Sequence, residues 1–300
     1  MPKLVVFGSV AFDSIRTPFG EANEVLGGAA VYASVAASFF THAGIVSGIG
    51  KDFPKEWTEL LRKRNISTEG LKIAGEKTFR WKGYYEYDMA SAHTVSTELN
   101  VMEGLMPELP GSYRKAPYVF LANLHPEQQL HVLDQMDNPR LSILDTMNYW
   151  ITNEKEKLMN LIKKIDILLL NDAEARQLFS TPNLIAAGRR ALAYGPGACI
   201  IKKGEHGVLL FTEKEIFSLP GYPLETVRDP TGAGDSFAGG LAGFLAKAGA
   251  MDEKALRKAM VYGSAIASYT VEGFGLDRLR SLTNPDIQQR YKEFEKIVRF

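Results

Sequence analysis

"DPTGAGDSFAGG", Asp229 to Gly240, runs directly into "LAGFLAKAG", and across the joined stretch Phe237, Leu241, Phe244 and Leu245 fall on one side of a helical pattern. Small residues lead straight into that helix, so Gly232, Ala233 and Gly234 are placed to leave backbone N–H groups pointing from a helix amino terminus into open space. Such a terminus favours an anion through its unpaired donors and through the helix dipole. Asp235 falls in the first turn. It reads either as a carboxylate interacting favourably with the dipole or as a general base beside a forming anion. A base next to an anion hole suits transfer of a charged group to a hydroxyl.

Upstream, short β-rich apolar runs recur: "KLVVFG" (3 to 8), "AGIVSGIG" (43 to 50), "YVFLAN" (118 to 123), "LSILD" (141 to 145), "DILLLN" (166 to 171) and "ACIIKKG" (198 to 204). Each ends in Gly, Asp or Asn, as buried parallel strands do. Between them lie helical patterns. "GAAVYASVAASFF" (28 to 40) suits a buried helix, whereas "FPKEWTELLRKRN", "HPEQQLHVLDQM" and "NEKEKLMNLIKKI" are amphipathic and suit outer ones. Further helices are predicted near 233–248, 252–272 and 284–298, with "GFGLDRL" (273 to 279) as a turn. Alternation of this kind predicts an α/β fold with helices on both faces of a mainly parallel sheet.

The segment 78–100, "TFRWKGYYEYDMASAHTVSTELN", breaks that rhythm: Arg80, Lys82, Tyr84 and Glu86 alternate with Phe79, Trp81, Gly83, Tyr85 and Tyr87. Extended strands with aromatics on at least one face are predicted, as an edge hairpin or as a lid over a pocket. No repeat, low-complexity tract or linker divides the chain, so residues 1–300 are expected to form one domain.

Composition narrows the partners. Three hundred residues, 45% hydrophobic and 23% charged, can build one large core, and 35 basic against 35 acidic residues leave no global field to recruit nucleic acid or a membrane surface. Cys199, the single cysteine, sits in "GACII" and reads as a small buried hydrophobe, which excludes a disulfide scaffold or cysteine metal cluster. The start "MPKLVVFGSVAFD" reads as a strand and not a signal peptide, and no apolar run approaches the roughly 20 residues that span a bilayer. A cytoplasmic protein is expected. "SGIGKDF" (47 to 53) ends a stretch with Ile45 and Asp52 where a Walker loop needs Gly and a hydroxyl, "GSVAFD" lacks G-x-G-x-x-G, and the five histidines show no zinc spacing.

"DPTGAGDSFAGG" resembles the carboxyl-terminal signature of the ribokinase-like (PfkB-type) carbohydrate kinases, and further matches follow in order along nearly the whole chain. "GSVAFDSI" resembles that family's first strand and substrate-binding aspartate, Asp13; "LGGAAVYAS" its diglycine, Gly27 and Gly28; "GIGKDF" its G-x-D segment. "LDTMNYW" resembles its D-x-N stretch, "NDAE" (171 to 174) its N-x-x-E motif, and "KKGEHG" (202 to 207) its nucleotide-side glycine loop.

The resemblance implies a three-layer α/β/α fold with a small β lid, formed near 14–26 and 76–100, and ATP-dependent phosphorylation of a hydroxyl on a small sugar or sugar-like substrate. A nucleoside kinase of the same fold is the alternative, and a non-catalytic ligand-binding relative a further one. By the resemblance, Asp235 takes the proton of the acceptor hydroxyl and the amides of Gly232, Ala233 and Gly234 hold the developing charge. Asn171 and Glu174 organise Mg²⁺, partly through water; read from the residues alone, the pair is also a helix cap with a first-turn acid. Asp13, Gly27 and Gly28 face the acceptor. Lys203, Gly204, Gly207, Ser264 and Ser268 lie near the nucleotide. Asp229 and Thr231 match a monovalent-cation site, such as one for K⁺, seen in some members.

Sugar kinases of this family often carry Asn where this chain has Tyr32, and a phenol cannot imitate a carboxamide's paired donor and acceptor. In the lid, Phe79, Trp81, Tyr84, Tyr85 and Tyr87 are candidates to stack on a sugar or a base, with Arg80 and Lys82 beside them for an anionic substituent. An exposed lid edge predicts a homodimer through the lid.

Overall fold

A computed structural model describes residues 1–299. Thirteen strands form two sheets: β1 (Leu4–Phe7), β2 (Ala11–Thr17), β3 (Gly20–Gly27), β4 (Ala43–Gly50), β5 (Ile66–Gly75), β6 (Phe79–Tyr85), β7 (Ala92–Glu98), β8 (Tyr118–Leu121), β9 (Leu141–Leu144), β10 (Ile167–Asn171), β11 (Ala198–Lys202), β12 (Val208–Thr212) and β13 (Ile216–Leu219). The large sheet has the order β13-β12-β11-β10-β9-β8-β1-β4-β5 and is parallel from β5 through β11, with β12 and β13 antiparallel.

Alternate residues of the parallel strands feed two separate cores. Leu4, Val6, Phe120, Ile143, Leu169 and Ile200 pack against the helices Ala29–Ser38, Ala233–Ala248 and Glu253–Thr270. Val5, Phe7, Val119, Leu121, Leu168 and Ile201 pack against Pro126–Asp134, Lys155–Ile162 and Leu184–Ala193 on the other face. Strands buried on both sides must be apolar at successive positions, which is why they stand out as continuous runs in the sequence. The three layers are thus those expected. Cys199 is fully buried, as expected.

The Ala233–Ala248 helix lies unusually close to Ala29–Ser38. A Cβ on Gly239 would come within 2.1 Å of the Ala33 carbonyl oxygen, and one on Gly243 within 2.7 Å of the Ala37 Cα. The small residues of "SFAGGLAGF" therefore bring two backbones together, and this contact fixes the start of the helix against Tyr32.

A second sheet, of order β3-β2-β6-β7, forms the lid, with β2 and β6 parallel. β7 is exposed along its whole length. Arg80 does not stay free for an anionic ligand: its guanidinium reaches Glu24 at 2.8 Å and Asp52 at 2.9 Å, and lies 4.5 Å above the Phe12 ring. Asp52 also accepts from the N–H and hydroxyl of Thr78, at 2.8 and 2.7 Å. Burial alone would raise the Asp52 carboxyl, but these donors win and hold it below its ordinary range. The "GIGKDF" segment is accordingly a pin between the lid and the main sheet.

Three differences from the sequence reading have local causes. β5 is an edge strand whose burial alternates, so "ISTEGLKIAG" shows no continuous apolar run. "GFGLDRL" contains the start of a short helix, Asp277–Ser281, as well as a turn. Tyr84 points away from its aromatic neighbours, stacking on His93 at 5.0 Å with Arg16 over its ring. Among the described residues, no helix is long and apolar enough to cross a membrane.

Candidate active site

The Ala233–Ala248 helix begins at Gly232, which takes a left-handed φ of 75° with no side-chain cap. A Cβ there would lie 2.5 Å from the Tyr32 ring, so both the turn and the neighbour require glycine. The Ala233 N–H is engaged by the Pro230 carbonyl at 3.1 Å, which corrects its expected part in an anion hole. The amides of Gly232 and Gly234 have no carbonyl partner among the described residues and remain free for an anion. Asp235 follows immediately. Burial first, then Asp145, against Lys202 and its own backbone N–H, push its carboxyl up to about 6. A carboxylate poised there suits a general base near neutral pH.

Asp13 on β2 is 4% exposed and accepts from the Gly28 N–H at 3.3 Å. Burial, with smaller contributions from Asp229 and Asp235 against the Gly28 bond, pushes it up to about 7. Gly27 makes room for it: a Cβ at that residue would fall 1.9 Å from the Asp13 carboxylate oxygen. Gly28, at φ 96°, turns the chain so that the next two amides reach Ser9, Ala29 to its hydroxyl at 3.0 Å and Ala30 to its carbonyl at 3.0 Å. The diglycine is thus the condition for a buried carboxylate facing the helix start.

Tyr32 sits beneath this turn, 1% exposed, with its hydroxyl buried and unpartnered. Burial first, then Asp13, Asp229, Asp235 and Tyr85, raise its phenol well above the ordinary value. It stays neutral and offers one unused donor. Tyr85 comes down from the lid, where its oxygen accepts from the Thr231 hydroxyl at 3.3 Å. Burial pushes Tyr85 up to about 12, with the Thr231 bond opposing and Asp229, Asp13 and Asp235 adding to it. Trp81 lies opposite Asp13 in the β2–β6 register, and its indole N–H donates to Thr94 at 3.2 Å. Of the lid aromatics, Tyr85 is the one joined to the helix-start loop.

On the other side, Asn171 and Glu174 form a complete capping box. The Asn171 amide and backbone N–H donate to Glu174 at 2.7 and 2.6 Å, and the Glu174 N–H returns to Asn171 at 2.8 Å. Glu174 is raised by burial and by Asp145, with Lys202 opposing. Lys202, in register with Asn171, forms a 2.6 Å ion pair with Asp145 at the end of β9. Lys203, its neighbour and the residue expected near the nucleotide, is half-buried and begins the loop to β12. In that loop Gly204 (φ 56°) has open space where a Cβ would be, while Gly207 (φ 85°) has none, the Leu219 carbonyl lying 2.0 Å away. Ser264 is half-buried on the Glu253–Thr270 helix. Ser268 is buried, and its hydroxyl donates to the Ala265 carbonyl and accepts from Arg290.

Sequence reasoning overlooked Lys202 and gave Tyr85 no more weight than its neighbours. The signal for Lys202 was present: it is the one charged residue of "ACIIK", at the carboxyl end of a parallel strand, where such sheets place their ligands. Tyr85 carries no such mark, because its contact with Thr231 spans 146 residues of sequence.

The model of the pfkB family of carbohydrate kinases matches residues 1–280. A cytidine kinase from Thermococcus kodakarensis is 32% identical over 250 residues, 81% of this chain and 89% of the relative. In fold, the chain is similar to a Burkholderia thailandensis nucleoside kinase solved with inosine (TM-score 0.79, 18% identity, 97% of each chain). It is similar also to a Cryptococcus neoformans ribokinase solved with ADP (TM-score 0.77, 20% identity, 96% of this chain and 98% of that one).

Proposed function

The chain belongs to the pfkB family of carbohydrate kinases, and from that premise we propose that it phosphorylates a nucleoside on the primary hydroxyl of its sugar, using ATP and Mg²⁺. It is a phosphotransferase with an alcohol acceptor; the nucleoside is the narrower reading. The observation that carries it is the likeness to a cytidine kinase over 81% of the chain. Tyr32 in place of the sugar kinases' carboxamide agrees with an acceptor held differently from a free pentose.

In this reading Asp13 accepts hydrogen bonds from two sugar hydroxyls, and the diglycine lets the sugar approach the backbone. Asp235 takes the proton as the acceptor oxygen bonds to phosphorus and the bond to the leaving nucleotide breaks. The free amides of Gly232 and Gly234 hold the charge on the moving group. Gly204 and Gly207 give a loop that a phosphate or ribose can approach. Asp145 pairs with Lys202, and Glu174 and Asp235 add to the negative field on it; among the described residues no group of three or more His, Cys, Asp or Glu side chains is arranged to hold a metal ion, so Mg²⁺ would arrive with the nucleotide phosphates and be held near Asn171 and Glu174 partly through water. When bound, Mg²⁺ neutralises the nucleotide phosphates. Asp229 is fully buried and held by the N–H groups of Thr231 and Gly275. A monovalent cation such as K⁺ beside it and Thr231 would balance that charge. The intact base and free amides disfavour a non-catalytic relative.

The exposed edge of β7 supports pairing of two copies through their lids; a monomer in sedimentation would remove that part. The balanced charge argues against a nucleic-acid partner, and the setting in this reading is the cytoplasm. For the main reading, purified protein with MgATP is offered cytidine, uridine, inosine, adenosine, ribose and deoxyribose. A nucleoside monophosphate by mass spectrometry is expected. Phosphorylated free pentose alone would move the acceptor back to sugars, and no product would overturn the reading.

A further inference from the structure

We propose that Lys202 is a catalytic residue of this kinase, its ammonium held by Asp145 and sharing the transferred phosphoryl group with the amides at the start of the Ala233–Ala248 helix. The proposal rests on the kinase reading and deepens it.

Lys202 ends a strand that is otherwise wholly buried and apolar, and its side chain is 17% exposed. Asp145 anchors it: one oxygen takes the ammonium at 2.6 Å and the other the Thr146 N–H at 3.0 Å, so the carboxylate is fixed from both sides. A Cβ on Gly234 would lie 3.4 Å from the ammonium nitrogen. The ammonium thus lies within van der Waals reach of the helix start at Gly234.

An ammonium carries three protons. Asp145 takes one, and among the described residues no other hydrogen-bond acceptor meets the Lys202 nitrogen. The amide of Gly234 beside it is likewise free, as is that of Gly232 two residues earlier. Two unmet ammonium N–H groups and two unmet backbone N–H groups in one partly enclosed place require an acceptor with several oxygens. A phosphoryl group has three.

The test compares wild type with Lys202→Met, Lys202→Ala and Lys202→Arg, using the acceptor found in the panel. For Lys202→Met a fall in kcat of about 10²- to 10³-fold is expected, in the range for loss of one charge-stabilising donor. Binding of a non-hydrolysable ATP analogue, read by calorimetry, should weaken about tenfold or more while ADP binding changes less than about threefold, because the contact is to the terminal phosphate. Methylammonium or ethylammonium should restore part of the activity of Lys202→Ala, and Lys202→Arg should keep more activity than the neutral variants. Equal loss of ATP-analogue and ADP affinity, or a kcat of Lys202→Met within about threefold of wild type, would overturn the proposal. So would a loss in both neutral variants that follows their melting temperature and resists added amine while Lys202→Arg is equally impaired. If wild-type protein makes no product, the kinase reading itself fails; if it does and Lys202→Met is unimpaired, only this inference fails.

Discussion

Replacing Asp13 by Asn should make the free protein more stable and a poorer enzyme, and the stabilisation should depend on pH. In the native state Asp13 keeps its proton up to about 7, whereas its ordinary value is 3.8. Between those values the native state binds more protons than the unfolded chain, so stability falls as pH rises. The difference of about 3 units corresponds to about 4 kcal/mol at pH 8, falls to about 2 kcal/mol at pH 5 and vanishes below pH 3. Asparagine is nearly isosteric and its carbonyl oxygen can still accept from Gly28, so it removes the buried charge while keeping the local bond. It therefore serves as a pH-independent reference.

The assay is urea unfolding of both proteins without ligand at pH 5 and pH 8. Asp13→Asn is expected to gain stability relative to wild type, and the gap to widen by about 2 to 3 kcal/mol between the two pH values. A gap that stays constant, or a variant less stable than wild type at pH 8, would refute the burial argument. The same variant should raise the acceptor KM by about 10²-fold, the loss of charge-assisted hydrogen bonds to two hydroxyls. Stability given up at a site for the sake of binding is a common trade in enzymes.

Asp235→Asn should lower kcat by at least about 10³-fold with melting temperature unchanged or raised, measured by coupled ADP release. In wild type, kcat/KM should fall as pH drops through about 6, where Asp235 gains its proton; a flat profile from pH 5 to 8 would exclude it as the base. Gly27→Ala should raise the acceptor KM without altering ADP affinity, since the new methyl meets the Asp13 carboxylate; isothermal titration with each ligand separates the two. Tyr85→Phe, which loses the bond to Thr231, should raise the acceptor KM about three- to tenfold with melting unchanged.

The sheet was legible because a strand buried on both faces is largely apolar, and β1, β4, β8, β9, β10 and β11 follow that rule apart from Ser47, Ser142 and the strand ends Asn171 and Lys202. The helix start at Gly232 was legible for a similar local reason: a left-handed turn leading into a helix selects small residues in a fixed order. The edge strands β5 and β13 were not, because their burial is mixed; β12, the apolar run "VLLF", was legible and was passed over. Nor could local sequence divide the lid residues by task. Arg80 reads as a ligand for an anion until the structure brings Glu24 and Asp52 to it from 56 and 28 positions away.

The site was legible where one motif contains the whole device and obscure where the device is assembled from several strands. Asn171 and Glu174 could be read three residues apart as a cap, and the cap is there. Lys202 could not be paired with Asp145 from spacing, since 57 residues separate them and only the parallel order of β9, β10 and β11 brings them together. Tyr32 is the opposite case: its position in the sequence suggested an acceptor contact, and the structure gives it two duties. Its ring fills the space that Gly232 leaves empty, while its buried hydroxyl keeps a free donor among Asp13, Asp229 and Asp235. A carboxamide at that position could supply the donor but not the ring. The departure from the sugar-kinase pattern therefore changes the support of the Gly232 turn along with the donor facing Asp13, and the two changes belong to one substitution.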